Sequence, residues 1–186
     1  MKRLFLLLAL CVGALHAAEP LLEKSAVFPP GMNGIARYRI PGIVVTTKGT
    51  VLAYSEARRN GSADWGEIEV HLRRSTDGGR TWSARRAIAN VPGPKLKNPL
   101  ALALPTVDPS TVTYNNFVLI ADRAGPVHAV FCLEYYRCFY MRSDDEGVTF
   151  STPVEITSTF EAFRKDYDWK VIATGPAHGL QLANGR

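Results

Sequence analysis

The sequence predicts an all-β fold, and three observations carry that prediction. Short β-branched runs follow one another with no strong helical periodicity between them. Twelve prolines and fifteen glycines divide the chain into many turns. An eight-residue pattern occurs twice, its two starts 68 residues apart, each time after a stretch that reads as a strand. The 186 residues, 46% hydrophobic and 21% charged, have the composition of one globular domain of ordinary size.

The first element is not part of the fold. Lys2 and Arg3 precede an apolar run from Leu4 to Leu15, and the small residues Ala17 and Ala18 follow it. A basic start, a short apolar core and a small-residue end make a secretory signal peptide. The apolar run is too short to span a bilayer. Leu10 before Cys11 is too large for a lipoprotein processing site, so no membrane anchor is expected. The reading is therefore a leader over 1–18, a β domain over 19–186, and export to a periplasmic or extracellular space. Loss of Lys2 and Arg3 leaves 20 basic against 17 acidic residues, a net charge of about +3. That mild excess, without any long basic run, argues against a nucleic-acid partner.

Gly42 to Thr47 (GIVVTT) and Thr50 to Tyr54 (TVLAY) read as two strands, with Lys48-Gly49 as the hairpin turn between them. Ile68 to Arg73 alternates Ile, Val and Leu with Glu, His and Arg, which suits a strand with one buried face. Phe117 to Ala121 and Cys138 to Arg142 are further strands. Ser158 to Lys165 is the one modest helical candidate, and Leu180 to Arg186 reads as a strand and its turn. Cys132 and Cys138, on either side of Glu134-Tyr135-Tyr136, read either as a disulfide across a hairpin or as two free, half-buried thiols. No Cys/His spacing suits a metal, and no cofactor is expected; His71, His128 and His178 are scattered and read as structural.

The repeated pattern is Ser75-Thr76-Asp77-Gly78-Gly79-Arg80-Thr81-Trp82 and Ser143-Asp144-Asp145-Glu146-Gly147-Val148-Thr149-Phe150, both of the form S-x-D-x-G-x-T-[WF]. Ser and Asp side chains hydrogen-bond nearby amides and fix a turn. Gly79 and Gly147 permit a positive φ, and the terminal aromatic packs back on the sheet. The pattern resembles the Asp box of sialidases and other β-propellers, where its role is structural. Propellers repeat four-stranded blades about a channel. At 68 residues per repeat the mature segment holds roughly two to three blades, so the chain is expected to be part of a longer, closed propeller.

A second set of residues carries chemistry. Tyr38-Arg39-Ile40-Pro41 precedes the first strand, Ser55-Glu56-Ala57-Arg58-Arg59 ends the first hairpin, and Gly61-Ser62-Ala63-Asp64-Trp65-Gly66-Glu67 follows before the first repeated motif. An arginine's planar fork binds a carboxylate through paired hydrogen bonds. This series resembles the first blade of the exo-α-sialidases, also called neuraminidases, whose domain is a six-bladed β-propeller. The resemblance maps Arg39 to one of three arginines that grip the sialic acid carboxylate. It maps Arg58, with Glu56 beside it, to the sugar's 4-hydroxyl region, and Asp64 to the general acid and base. This chain has Glu-Ala-Arg where the family often has Glu-Gly-Arg. Asn98-Pro99 stands where many members have a pocket-lining Asn-Pro, with Leu100 and Ala101 in place of the usual Cys-Pro. Asp168-Trp169 precedes Thr174-Gly175-Pro176-Ala177-His178-Gly179-Leu180-Gln181-Leu182, similar to the family's T-G-P-G-H-G-I-Q-L, and Asp168 matches an acidic residue that faces the ligand in some members. The likeness spans about Val27 to Arg186.

The resemblance implies retaining hydrolysis of terminal sialic acid from glycoproteins, glycolipids and oligosaccharides. A carboxylate nucleophile would be repelled by the substrate's own carboxylate, and sialidases use a tyrosine instead. In the family that tyrosine, its activating glutamate and the other two carboxylate-binding arginines come later than the residues seen here, so the chain by itself is expected to be inactive. Two rival readings are a non-catalytic sialoglycan-binding propeller, which has no need of Asp64, and a structural propeller with Asp boxes alone, which has no need of Arg39, Arg58 and Asp64 together. Transfer of sialic acid to another sugar is a further alternative.

Overall fold

The computed structural model describes residues 22–61 and 63–186; the leader expected over 1–18 lies outside them. The described residues form two four-stranded antiparallel sheets, each a simple meander. The first contains β1 (Arg37–Val45), β2 (Val51–Arg58), β3 (Ile68–Ser75) and the short β4 (Arg86–Ala87). The second contains β5 (Tyr114–Ala121), β6 (Val127–Leu133), β7 (Arg137–Ser143) and the short β8 (Val154–Glu155). A four-residue helix, α1 (Pro99–Leu102), interrupts the connection between the sheets, and a 3-10 helix (Thr157–Phe163) follows β8.

Five of the strands read from the sequence are present: β3, β5 and β7 contain their predicted cores, while β1 starts earlier and ends at Val45 and β2 runs on from Val51 to Arg58. The Lys48-Gly49 turn closes the first hairpin, where Gly49 donates to the Thr46 carbonyl at 3.0 Å. The helical segment over 158–165 takes the tighter 3-10 form. Leu180 to Arg186 corrects the prediction: Gly185 donates to the Leu182 carbonyl at 3.0 Å and makes the expected turn, but the segment forms no strand. A strand needs a neighbour to satisfy its amides, and no strand of the described residues pairs with this one.

The two sheets share more than the eight-residue motif. The β1–β2 register shifts between Arg39 and Gly42, and the β5–β6 register shifts between Asn115 and Val118. At those breaks Ile40 and Asn116 both adopt φ of 54°, so each sheet begins with the same left-handed kink. Gly42 is required beside the first kink: the Tyr54 ring lies where a Cβ would stand, with Tyr54 Cζ only 2.0 Å from that position.

The repeated turns match atom for atom. Ser75 Oγ donates to Asp77 Oδ1 at 2.7 Å and accepts from the Gly79 amide at 2.8 Å. Asp77 accepts the Thr81 amide at 2.9 Å and its hydroxyl at 2.6 Å. In the second turn the same four bonds join Ser143, Asp145, Gly147 and Thr149, at 2.8, 2.9, 2.8 and 2.6 Å. Both terminal aromatics are half-buried: Phe150 packs against the main core as expected, whereas Trp82 lies over Gly79.

One apolar core joins the sheets. Leu52, Tyr54, Val70 and Leu72 of the first meet Phe117, Leu119, Phe131, Phe139 and Met141 of the second. Tyr54 meets Phe117 edge-on at 5.2 Å, and Phe117, Phe131 and Phe139 stack in series at 5.9 and 5.7 Å. The second repeated turn also docks on the first sheet. Glu146 accepts from the Thr46 hydroxyl, its carbonyl accepts from Arg74 Nε at 2.7 Å, and Gly147, at φ of 73°, leaves room for Leu52. Cys132 and Cys138 are directly opposed on β6 and β7, fully buried, and both are free thiols.

Candidate active site

The polar cluster is built from β1, β2 and the nine-residue connection 59–67 that follows β2. Strand β2 is buried along its whole length. Glu56 and Arg58, two residues apart, lie on one face of a pleated strand. Glu56 Oε2 accepts from Arg58 Nη2 at 2.6 Å and from Nε at 3.2 Å. The other oxygen, Oε1, accepts the Asn116 amide at 2.9 Å, at the kink of β5. One carboxylate therefore holds Arg58 and fastens the second sheet to the first.

The outer end of Arg58 meets the long connection. Its Nη1 donates to the Ala63 carbonyl at 2.7 Å and to Asp64 Oδ1 at 2.8 Å. Arg39, placed on β1 just before the kink, donates from Nη1 to the same Asp64 oxygen at 3.3 Å. The Ser55 hydroxyl holds the Arg39 carbonyl at 2.7 Å. The cluster is graded in exposure: the Glu56 and Arg58 side chains are 1% and 2% exposed, those of Arg39 and Asp64 41% and 60%. Burial works against the Arg58 charge, but bonding to Glu56 and Asp64 overcomes it and raises the guanidinium above its ordinary value. The arrangement is a fixed, buried pair beneath a water-facing arginine and carboxylate.

Tyr135, at the turn between β6 and β7, completes the surroundings. Its ring meets Trp65 with centroids 4.8 Å apart. Burial, reinforced by the negative charges of Glu56 and Asp64, pushes its hydroxyl well above the ordinary tyrosine range. Tyr135 is a neutral, half-buried wall of the cluster.

The remaining predicted residues lie elsewhere. Asn98 is 1% exposed and caps α1: Oδ1 accepts the Leu100 amide at 2.9 Å, and Nδ2 donates to the Lys170 carbonyl at 3.0 Å. Its amide is spent on the backbone. Asp168 is exposed and pairs with Lys170 at 2.6 Å and Arg164 at 3.5 Å. The structure thus brings Arg39, Arg58 and Asp64 together, while Asp168 bonds to its own segment. Sequence reading missed Asn116, Thr113, Glu134 and Lys97. A charged residue closing the apolar run of β6 was the available signal for Glu134. Among the described residues no group of three or more His, Cys, Asp and Glu is arranged to hold a metal ion, and no helix is long and apolar enough to cross a membrane.

A sialidase of Bacteroides fragilis is 32% identical over 169 residues, covering 83% of this chain and 30% of that protein. The chain is a relative of the sialidases. A sialidase of Micromonospora viridifaciens is 34% identical over 111 residues, 58% of this chain and 16% of that protein. An exo-alpha-sialidase of Aspergillus fumigatus is 28% identical over 193 residues, 91% of this chain and 46% of that protein. The chain therefore spans less than half the length of these curated relatives. No protein-family profile matches it. Among solved structures, the Hadza microbial sialidase Hz136 superposes with a TM-score of 0.62 at 23% identity, over 82% of this chain and 31% of that one. Trypanosoma rangeli sialidase superposes with a TM-score of 0.53 at 19% identity, over 80% of this chain and 25% of that one. The two sheets of this sialidase relative are accordingly neighbouring blades of a β-propeller.

Proposed function

We propose that the chain supplies two blades of an exported exo-α-sialidase that removes terminal sialic acid from glycoconjugates with retention of configuration. The observation that carries this reading is the convergence of Arg39 and Arg58 on one water-facing carboxylate, Asp64. In this reading Asp64 protonates the departing glycosidic oxygen and then deprotonates the incoming water. Arg39 exchanges its contact with Asp64 for the substrate carboxylate, and so orients the scissile bond. Arg58, held by Glu56, reaches the sugar's 4-hydroxyl region by exchanging one of its Nη1 contacts, to Ala63 or Asp64, for the ligand. The nucleophile and the other two carboxylate-binding arginines are supplied by further blades of the full-length protein, in keeping with the fraction of the relatives' length that this chain spans. The two repeated turns act as Asp boxes that fix blade geometry. Asn98 acts as a cap, and Asp168 borders the ligand only if it leaves Lys170.

The test is release of sialic acid from sialyllactose by the full-length protein and its Asp64→Asn variant, followed by NMR. The expected result is release of the α-anomer by the parent and a fall of about 10²- to 10⁴-fold in the variant. A folded parent that binds sialic acid without releasing any overturns the proposal in favour of a glycan-binding propeller.

A further inference from the structure

We infer that Thr113 is a positioning residue for the Asp64 connection, backed by the buried pair Glu134–Lys97. The inference rests on the proposed role of Asp64 as acid and base. The connection 59–67 leaves the first blade, yet its second half is held by the second. The Thr113 hydroxyl donates to the Gly66 carbonyl at 2.8 Å and accepts the Gly66 amide at 3.1 Å. One side chain thereby satisfies both backbone groups of a residue two places from Asp64. Next to it, the Ile68 amide donates to the Val112 carbonyl at 2.9 Å, so the end of the connection is tied to the same segment.

Thr113 is itself immobilised. It is fully buried, and its amide donates to Glu134 Oε1 at 2.7 Å while its carbonyl accepts the Glu134 amide at 2.8 Å. The Glu134 carboxylate is fully enclosed and paired with Lys97 at 2.9 Å. Burial pushes this carboxyl up, against the pull of the Thr113 amide and Lys97. Glu134 sits in the left-handed region at φ of 58°, and that turn also carries Tyr135 onto Trp65, the residue after Asp64. Hydroxyl and ring thus hold two successive residues of the connection, Gly66 and Trp65. A carboxylate that is 60% exposed and must meet a leaving-group oxygen within hydrogen-bond reach needs such a brace, because its own contacts to Arg39 and Arg58 fix only its inner edge.

The experiment compares the full-length parent with Thr113→Val, which keeps the shape and removes the hydroxyl, and with Thr113→Ser, which keeps the hydroxyl. Two substrates separate positioning of the acid from general damage. Sialyllactose has a poor leaving group that needs protonation, whereas an aryl sialoside with an acidic phenol does not. Thr113→Val is expected to lose about 10²-fold in kcat/KM on sialyllactose, to change little on the aryl sialoside, and to be rescued by Thr113→Ser. Amide exchange at Gly66 should accelerate in Thr113→Val and stay protected in Thr113→Ser. Equal losses on both substrates, or no loss, overturn the inference while leaving the sialidase reading intact. An inactive, folded parent overturns the sialidase reading, and the Gly66 exchange then decides whether Thr113 holds the connection. Should Thr113→Val not fold, Thr113→Ala repeats both comparisons, with the same outcomes deciding.

Discussion

Glu56 and Arg58 form an ion pair 2.6 Å long whose two side chains are 1% and 2% exposed. Both charges have left water, so their geometry and their further bonds decide whether they stabilise the fold. Glu56 accepts from Arg58 and Asn116, and Arg58 donates to Ala63 and Asp64, so each partner has hydrogen bonds beyond the pair.

Removing the anion is predicted to cost more than losing one contact. Glu56→Ala removes the acceptor of Arg58 Nε and Nη2 and of the Asn116 amide together, leaving Arg58 only its outer contacts to Ala63 and Asp64 to balance a buried charge. The expected loss is about 3 kcal/mol of unfolding free energy in the full-length protein, read from a urea titration. Glu56→Gln still accepts from Asn116 and should lose less. Equal losses would mean that the bond between the sheets contributes nothing separable.

Acid should weaken the repeated turns within a narrow range. Bonding to the Thr149 hydroxyl and amide lowers the Asp145 carboxyl from the ordinary 3.8 to about 2, and Thr81 lowers that of Asp77 in the same way. A depressed carboxylate stabilises the fold above its unfolded value and loses that contribution as pH falls through the folded value. The difference in melting temperature between the parent and Asp145→Asn is therefore expected to be full above pH 4 and to shrink toward zero near pH 2. A constant difference across that range would contradict the assignment.

Gly42 has no room for a methyl group. Its Cβ position lies 2.0 Å from Cζ of Tyr54, and Tyr54 is itself buried between the sheets with Phe117 against it. Gly42→Ala is expected to destabilise by about 3 kcal/mol, and Tyr54→Leu in the same chain should recover part of the loss. Chemical denaturation of the single and double variants measures the coupling.

Cys132 and Cys138 give a chemical test of the fold. Both thiols are fully buried, and Cys138 is pushed well above the ordinary thiol range by its neighbour Cys132 and by burial. Neither should react with an alkylating reagent in the native protein. Both should react after unfolding without reductant, as read by peptide mass. Unfolded protein that stays unlabelled at both would reveal a disulfide in their place.

Much of this was legible in the sequence because its signals are local. The β-branched runs, the Lys48-Gly49 turn and the two S-x-D-x-G-x-T motifs each act through neighbouring residues. Arg39, Arg58 and Asp64 lie within 26 residues, on one hairpin and the connection after it, so the family resemblance carried by that stretch sufficed to group them. Strand β6 was not legible, because apart from His128 it is apolar on both faces and lacks the alternation of residue type that marks a half-buried strand. The Thr113–Gly66 bond joins residues 47 apart, and the Lys97–Glu134 pair joins residues 37 apart. Such pairings depend on how one blade meets the next, and no local period encodes that. Asp168 shows the opposite case: its motif drew attention, while its nearest cations, Arg164 and Lys170, hold it within its own segment.

The two blades share a kink and a turn motif but differ in one connection. Nine residues join β2 to β3, and only three join β6 to β7. The longer one bears Asp64; the shorter one, with Tyr135, serves as its buttress. The sheet is thus common to both blades, whereas the proposed reactivity is carried by one long bend. On the proposed sialidase reading, variation in that bend would retune which aglycone is accepted without redrawing the sheet, and the neighbouring blade would set how far it can drift.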